Sequence, residues 1–307
     1  MSAPMLATLA DVLVPTLPIL AAVGAACVLY GVFVERQWYR TATYDLPILP
    51  ADARAPLTIL HLSDLHFVRR DDRKAAFLSS LPPADVTVVT GDILGEPAAV
   101  EAAVAALRAT RGAIASYFVL GSNDLFAPQP LNYAAYFLPW RTRRKGIPGR
   151  SPDLVAQMEA DGWTHLRNRR TELTADGVPF EIVGLHDPHI ERADLRVAPR
   201  RREDAVGLAI VHSPDPAPEL AALGYDLVLS GHTHGGQVRL PLVGALVTNS
   251  VMPRRLCMGL VRLGPALMHI SPGLGTSKYA KFRFLCRPEA TVLRLVPAPV
   301  HEGRRAA

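Results

Sequence analysis

The chain has 307 residues, of which 49% are hydrophobic and 20% are charged, and its formal net charge is +5 at pH 7. This composition excludes a disordered tail, a collagen-like fibre and a small disulfide scaffold. It is compatible with one large α/β domain or two smaller ones, and the basic balance would suit an anionic partner such as phosphate, nucleic acid or an acidic membrane surface.

The amino-terminal segment contains an apolar stretch, residues 12–34, without any charged side chain. At about 1.5 Å per helical residue, this stretch is long enough to cross a hydrocarbon core of about 30 Å. A cleaved signal peptide would carry basic residues before its apolar core, and a buried core helix would show a polar face; the stretch has neither. We therefore predict an anchor over residues 1–40 with a single transmembrane helix, followed by a linker over 41–56.

Basic residues lie on only one side of this stretch. Arg36 and Arg40 follow its carboxyl-terminal end, whereas the residues before it include Asp11 and no Lys or Arg. The positive-inside rule then favours a cytoplasmic location for the remainder of the chain. The sequence thus predicts a single-pass protein of the cell membrane.

Beyond residue 56, short apolar runs alternate with Ala-rich or amphipathic stretches, which is typical of βαβ units and a largely parallel sheet. Strands are predicted at 57–62, 85–90, 116–120, 180–184, 207–212, 226–229, 267–270 and 290–296, and helices at 72–80, 97–110 and 151–162. Residues 127–150 lack periodicity, and a loop of this length tends to be functional. We predict one domain over 57–300 and a tail over 301–307.

Asp, Asn and His residues recur just after the predicted strands. They occur in Asp64-Leu65-His66, Gly91-Asp92, Gly121-Ser122-Asn123-Asp124, Val211-His212 and Gly231-His232-Thr233-His234. Open α/β sheets bind ligands at the carboxyl ends of their strands. Carboxylate oxygen and imidazole nitrogen are ligands of divalent cations of borderline softness, and a carboxylate can bridge two such ions. These residues suffice for two metal ions sharing one bridge, a centre suited to phosphoester hydrolysis.

In this order, the motifs resemble those of the calcineurin-like metallophosphoesterases, and most closely those of the bacterial branch with an amino-terminal membrane anchor. The resemblance covers about residues 57–296. It implies a four-layer α/β/β/α sandwich with two mixed sheets, and a centre of two divalent metal ions, Mn, Zn or Fe. It also implies that a hydroxide bridging the two metals is the nucleophile.

Carried over position by position, the resemblance implies metal-binding roles for seven side chains. The first metal would be bound by Asp64, His66 and His234, the second by Asn123, His212 and His232, and Asp92 would bridge the two. Thr233 then separates two histidines that serve different ions.

One motif departs from the family pattern. Where the family has Gly-Asn-His followed by Asp or Glu, this chain has Gly121-Ser122-Asn123-Asp124. A gapless match places Ser122 at the ligand position, whereas a shift of one residue places Asn123 there; we prefer Asn123 because an amide oxygen is the better donor to a divalent ion. In either case the general-acid His of the family is missing. The leaving-group proton must then come from Asp124, from a His elsewhere or from solvent, and a missing acid costs a factor of about 10²–10⁴.

Four further residues are candidates for substrate contact: Asp187 and His189, in a polar turn after a predicted strand, and Arg143 and Arg144 in the long loop. The leading hypothesis is a hydrolase that cleaves a phosphodiester or pyrophosphate bond of a lipid-linked or cell-envelope phosphoester at the membrane. A nuclease or nucleotide phosphodiesterase is the first alternative, although the sequence lacks the aromatic and basic platform of single-strand binders. A non-catalytic metal-binding membrane scaffold is the second.

Overall fold

The computed structural model describes residues 3–130 and 146–299, with side chains from residue 16 onward. The α-helices within these ranges are α1 (Ala3–Leu29), α2 (Asp72–Ser79), α3 (Val100–Arg108), α4 (Ser122–Leu125), α5 (Ser151–Ala160) and α6 (Ala217–Ala222). The strands are β1 (Arg40–Leu49), β2 (Leu57–Leu62), β3 (Val86–Val89), β4 (Ala115–Phe118), β5 (Phe126–Ala127), β6 (Ile147–Pro148), β7 (Thr164–His165), β8 (Arg169–Ala175), β9 (Val178–Gly184), β10 (Val206–Ile210), β11 (Leu227–Ser230), β12 (Arg239–Leu240), β13 (Gly244–Ala245), β14 (Gly259–Leu263), β15 (Ala266–Ile270) and β16 (Glu289–Pro297).

Two six-stranded mixed sheets lie at the centre of the domain. Their strand orders are β1-β16-β2-β3-β4-β7 and β14-β15-β11-β10-β9-β8. Strands β2, β3 and β4 are parallel in the first sheet, as are β9, β10, β11 and β15 in the second. The antiparallel pairs are β16 with β2, β14 with β15 and β8 with β9. The predicted parallel arrangement is therefore confirmed for β2 to β4 in the first sheet and for β9, β10, β11 and β15 in the second, and the two mixed sheets are confirmed as well.

Alternating side chains form one apolar layer between the sheets and one on each outer face. In β2, Ile59 belongs to the layer between the sheets, whereas Leu60 belongs to the cluster that includes side chains of α2, α3 and α5. In β10, Leu208 faces the first sheet, whereas Ala209 packs in the cluster that contains Leu220 of α6. Full burial of one such large side chain contributes about 1.5–3 kcal/mol. The result is the four-layer α/β/β/α sandwich that the resemblance implied.

Strand β1 shows that the linker predicted over 41–56 is wrong over 41–49. It runs parallel to β16 at the edge of the first sheet, and it buries Leu46 and Leu49, which are 0% and 2% exposed. In the sequence, Pro47 argues against a strand here, because proline has no backbone N–H to donate to a neighbouring strand. It is tolerated here because β1 is an edge strand and its register shifts between Pro47 and Leu49.

The apolar amino-terminal stretch is helical, as predicted. Helix α1 continues through a π-helical turn (Tyr30–Val34) and a 3-10 turn (Glu35–Gln37), and β1 begins three residues later. Thr16–Gln37 is a helical stretch long and apolar enough to cross a membrane, with a mean hydropathy of 2.3, and most of its side chains are exposed. An exposed apolar surface of this extent marks contact with a partner or a membrane.

Candidate metal centre

The polar loops that follow the parallel strands meet at one end of the sandwich. The segments after β2 and β3 carry Asp64, His66 and Asp92, and Asn123 lies in α4, which follows β4. The segments after β10 and β11 carry His212, His232 and His234. The carboxyl ends of parallel strands share one edge of a sheet, so residues far apart in sequence come together there. His66 and His234, 168 positions apart, are in direct contact.

Four side chains converge on one point. The Nε2 atoms of His66 and His234 are 3.2 Å apart, His66 Nε2 lies 3.5 Å from Asp92 Oδ2, and His234 Nε2 lies 3.5 Å from Asp64 Oδ1. All four ligand atoms lie within 4.8 Å of one another. Ligand atoms about 2.0–2.2 Å from a shared ion are about 3.3–3.6 Å apart in a tetrahedral site. The four side chains therefore have the spacing of a divalent metal site.

The hydrogen bonding of Asp64 agrees with a cation at this point. Its Oδ2 accepts the backbone N–H of His232 at 2.9 Å and the hydroxyl of Ser63 at 2.7 Å. Its Oδ1 is buried and has no hydrogen-bond partner among the described residues. A buried polar atom without a partner costs about 1–3 kcal/mol, and more when it is charged. The free oxygen of Asp64 and the two facing imidazoles thus fit a metal ion.

A second set of side chains lies beside the first and shares Asp92. His212 Nε2 is 3.6 Å from Asp92 Oδ1 and 3.2 Å from His232 Nδ1. Asn123 donates its backbone N–H to Asp92 Oδ1 at 2.9 Å and its side-chain amide to Oδ2 at 2.5 Å. Ser122 and Asn123 are the two alternatives for the ligand position of the altered motif, and Asn123 is the one that contacts Asp92.

Hydrogen bonds on the outer ring nitrogens orient the two histidines of the second set. His212 Nδ1 lies 2.7 Å from the Thr90 carbonyl, and His232 Nε2 lies 3.1 Å from the Asn249 carbonyl. A carbonyl can only accept, so each of these nitrogens carries a hydrogen. In the neutral rings, the lone pairs of His212 Nε2 and His232 Nδ1 then face each other across the site, as metal ligands do.

The backbone of the polar loops is strained at five site residues. The φ angle is positive at Asp64 (47°), His66 (45°), Asp92 (51°), His232 (68°) and His234 (51°). Residues other than glycine adopt this region rarely and at a cost of about 1–3 kcal/mol, and such residues cluster at functional sites. Backbone hydrogen bonds between the loops hold this conformation; Asp64 N–H donates to the Gly91 carbonyl, and His66 N–H to the Asp92 carbonyl, both at 2.9 Å.

Two motif glycines allow close approach of neighbouring loops. A Cβ atom at Gly121 would lie 2.2 Å from Asp92 Oδ1, and one at Gly231 would lie 1.8 Å from Ser63 Oγ. Any side chain at these positions would displace Asp92 or the Ser63 hydroxyl that bonds to Asp64. This explains why glycine opens both motifs.

Burial and neighbouring charges divide the histidines into two kinds. Burial lowers the pKa of His66 to about 4 and holds the pKa values of His232 and His234 well below their usual range. Burial also acts against protonation of His212, but Asp92 and two other carboxylates outweigh it and raise the pKa of His212 to about 9. At neutral pH and without metal, the site holds three neutral imidazoles and one imidazolium.

Asp124 lies beneath the site. Its carboxylate is fully buried and accepts the backbone N–H of Gly121 at 3.0 Å and that of Leu94 at 2.8 Å. One oxygen thus caps α4, and the other links α4 to the segment after β3. Protonation of the leaving group by Asp124 stays a prediction, and burial raises the pKa of this carboxyl group to about 7.

His189 and Asp187 differ in their placement. The half-buried ring of His189 lies against His232, with ring centroids 4.3 Å apart. Asp187 is fully buried, and its Oδ1 accepts the backbone N–H of His189 at 2.9 Å, which fixes the turn Pro188–Ile190. Asp187 therefore positions His189, and substrate contact by Asp187 itself stays a prediction. Arg143 and Arg144, the other two predicted contacts, lie outside the described residues.

Sequence reasoning missed a residue that supports Asp64 from behind. Arg283 is fully buried and donates to the carbonyl groups of Pro272, Gly273 and Gly275 at 2.7–3.2 Å. Gly273 packs on Asp64 so closely that a Cβ atom there would lie 2.6 Å from the Asp64 Cβ. Arginine is almost never fully buried, so a lone arginine in a loop gives no signal of this role.

The sandwich, together with the carboxylate and imidazole groups at one end of both sheets, defines a metal-dependent phosphoester hydrolase. The family model described as calcineurin-like phosphoesterase matches residues 57–236, and the chain belongs to this family. The expected membership, fold and enzyme class are thereby confirmed.

Three relatives cover most of the chain. It is 28% identical to the uncharacterized metallophosphoesterase YkuE of Bacillus subtilis (strain 168), over 76% of each chain. It is 28% identical to the phosphodiesterase YaeI of Escherichia coli (strain K12), over 87% of this chain and 92% of the relative. It is 27% identical to the UDP-2,3-diacylglucosamine pyrophosphatase LpxG of Chlamydia trachomatis serovar D, over 79% and 84% respectively.

Proposed function

We propose that the chain is a membrane-anchored hydrolase that cleaves a phosphodiester or pyrophosphate bond of a lipid-linked or cell-envelope phosphoester. The observation that carries this proposal is the convergence of two sets of ligands on Asp92. One divalent ion would be held by Asp64, His66 and His234, and the other by Asn123, His212 and His232, with Asp92 shared between them; these side chains lie within 2.5–3.6 Å of one another in pairs. Such a pair supplies Lewis-acid polarisation of the phosphoryl group and an activated water.

Separate observations support the membrane and the substrate class. The exposed apolar helix Thr16–Gln37 supports anchoring, and Arg36 and Arg40 at its carboxyl end support a cytoplasmic domain through the positive-inside rule. Among the relatives, YaeI is a phosphodiesterase and LpxG a UDP-2,3-diacylglucosamine pyrophosphatase, which supports cleavage of these two bond types and a lipid-bearing substrate.

Metal binding should release at least one proton per chain at pH 7, because a metal-ligating imidazole must be neutral and a metal-activated water also loses a proton. His212, with a pKa of about 9, is protonated before the metal binds, whereas His66, with a pKa of about 4, is not. Since protons compete for His212, the apparent affinity for Mn²⁺ should rise with pH and level off above about 9. Calorimetric titration in two buffers of different ionisation enthalpy counts the protons. Metal uptake without proton release at pH 7 would contradict the assignment of His212.

We expect His189 to contact the leaving group, in place of the histidine that the altered motif lacks. His189→Ala should lower kcat by about 10² for an alkyl phosphodiester, whose leaving group needs a proton, and much less for a p-nitrophenyl ester. His189→Gln keeps a hydrogen-bond donor, so it separates hydrogen bonding from proton donation. An equal loss on both substrates would assign His189 to packing against His232 instead.

The substrate class is tested with the metal-loaded full chain, assayed against lipid, nucleotide and protein phosphoesters at matched concentrations. The proposal predicts that a lipid phosphodiester or pyrophosphate has the highest kcat/KM. Cleavage of plain oligonucleotides that falls steeply with salt would favour a nuclease instead.

A further inference from the structure

The carboxyl-terminal end of the apolar helix is fixed to the catalytic domain. The carbonyl of Gly31 accepts the backbone N–H of Arg283 at 3.2 Å. The buried carboxylate of Glu35 accepts the backbone N–H groups of Leu285 and Cys286 at 2.9 and 2.5 Å. Gly31 leaves no room for a side chain, since a Cβ atom there would lie 2.5 Å from the Arg283 carbonyl oxygen. The helix end and the domain therefore move together.

A cleft of about 290 Å³ lies between this helix end and the metal centre. Its walls come from residues 36–39 at the helix end, from 66–74 around the start of α2, and from 274–281. His66, a member of the metal-binding group, is part of its wall. The cleft thus connects the end of the helix with the metal centre.

The cleft is strongly basic. Its basic side chains are Arg36, Arg70, Arg73, Lys74, Lys278 and Lys281, against the two acidic side chains of Asp71 and Asp72. Lys74 pairs with Asp71 at 2.6 Å, and Lys278 pairs with Glu96 at 2.7 Å. Among the described residues, Arg70 and Lys281 form no ion pair, and both are exposed. These two charges are available to an anionic ligand.

The proposed membrane-spanning role of the apolar helix would place this cleft at the level of the lipid headgroups. Thr16–Gln37 ends at the cleft, and the exposed side chains of Phe33 and Trp38 lie at that end. Tyr279 and Leu285, from the segment that packs on the helix end, are also exposed. Aromatic residues favour the membrane interface, and basic residues near it attract anionic lipids.

We propose that this cleft binds the anionic, phosphate-bearing headgroup of a bilayer lipid and holds it beside the metal centre, while the acyl chains stay in the bilayer. The inference rests on the proposed membrane-anchored hydrolase and names where its substrate binds. Arginine and lysine recognise phosphate oxygens through charge-assisted hydrogen bonds. Inorganic phosphate can form the same hydrogen bonds, but we expect it to bind at the metal ions rather than in the cleft.

The test compares two double variants of the full metal-loaded chain in detergent micelles. Arg70→Gln/Lys281→Gln removes two exposed charges from the cleft, and the matched control Arg54→Gln/Arg262→Gln removes two exposed charges elsewhere. The probes are dihexanoyl phosphatidylglycerol, dihexanoyl phosphatidylcholine and inorganic phosphate, with Kd measured by calorimetry. The cleft variant should raise the Kd of the phosphatidylglycerol at least about tenfold more than that of inorganic phosphate, and the control should not.

Three outcomes would overturn the proposal. Equal increases in the Kd values of phosphatidylglycerol and inorganic phosphate for the cleft variant would show that Arg70 and Lys281 act only through overall charge. An equal rise in the Kd of phosphatidylglycerol for the control variant would also assign the effect to overall charge. If the wild type bound phosphatidylcholine as tightly as phosphatidylglycerol, recognition of the anionic headgroup would be excluded. Turnover of bis-p-nitrophenyl phosphate by the wild type is measured in parallel. Its absence would refute the proposed hydrolase, while the lipid Kd values would still decide the role of the cleft.

Discussion

Replacing Asp92 with Asn should reduce hydrolysis of bis-p-nitrophenyl phosphate by the metal-loaded chain by at least about 10³-fold, because polarisation by bound metal is worth several kcal/mol. Asp92 is shared by both ligand sets, with His66 Nε2 at 3.5 Å and His212 Nε2 at 3.6 Å. Asn preserves the shape of the side chain but removes the charge that two cations require. Metal content, measured by mass spectrometry on the same sample, should fall as well.

A matched control separates this effect from a general loss of carboxylates. Asp45 lies in β1, pairs with Arg294 at 3.5 Å and is exposed, so Asp45→Asn should leave turnover and metal content unchanged. If Asp92→Asn instead kept both metals and a turnover within about tenfold of the wild type, Asp92 would not be the bridge.

Removing residues 1–56 should prevent stable folding of the remaining chain. The cut deletes β1, which pairs with β16 from Arg40 to Leu49 and buries Leu46 and Leu49 between the sheets. Loss of a single buried Leu side chain costs about 2–5 kcal/mol, and a whole domain is stable by only about 5–15 kcal/mol. Thermal unfolding followed by circular dichroism should show no cooperative transition for this chain.

A shorter deletion is the control. A chain that begins at Tyr30 lacks most of the apolar helix but keeps β1 and the carboxylate of Glu35 that bonds to Leu285 and Cys286. It should unfold cooperatively and hydrolyse bis-p-nitrophenyl phosphate. Equal stability of the two truncated chains would show that residues 30–56 act as a linker after all.

The clustering of the seven predicted ligands could be predicted because two simple signals coincide. Buried strands such as β2, β3 and β11 are short apolar runs, so their carboxyl ends can be located in the sequence. Polar residues directly after these ends, such as Asp92 and His232, must then meet at one edge of the sheets. The proximity of all seven predicted ligands follows from this topology.

Edge strands were harder to predict because their pattern is weaker. β1 contains Pro47, β8 begins with Arg169 and Arg170, and β14 begins with a glycine, so none of them forms an apolar run. An edge strand is hydrogen-bonded on one side only and is half exposed, so packing constrains its sequence less.

Roles that depend on which way a side chain turns could not be predicted. Asp124 and Asn123 are neighbours in one motif, yet one caps a helix from beneath and the other contacts Asp92. The basic cleft joins residues of three segments that are up to 245 positions apart, and no local pattern connects Arg36 with Lys281.

The most direct measurement takes metal content and turnover from the same sample of the full chain, reconstituted with increasing Mn²⁺. We predict that hydrolysis of bis-p-nitrophenyl phosphate rises with bound metal and saturates when two ions are bound per chain. A chain that binds two ions and turns over no activated phosphoester would contradict the proposed hydrolase and indicate a metal-binding scaffold at the membrane.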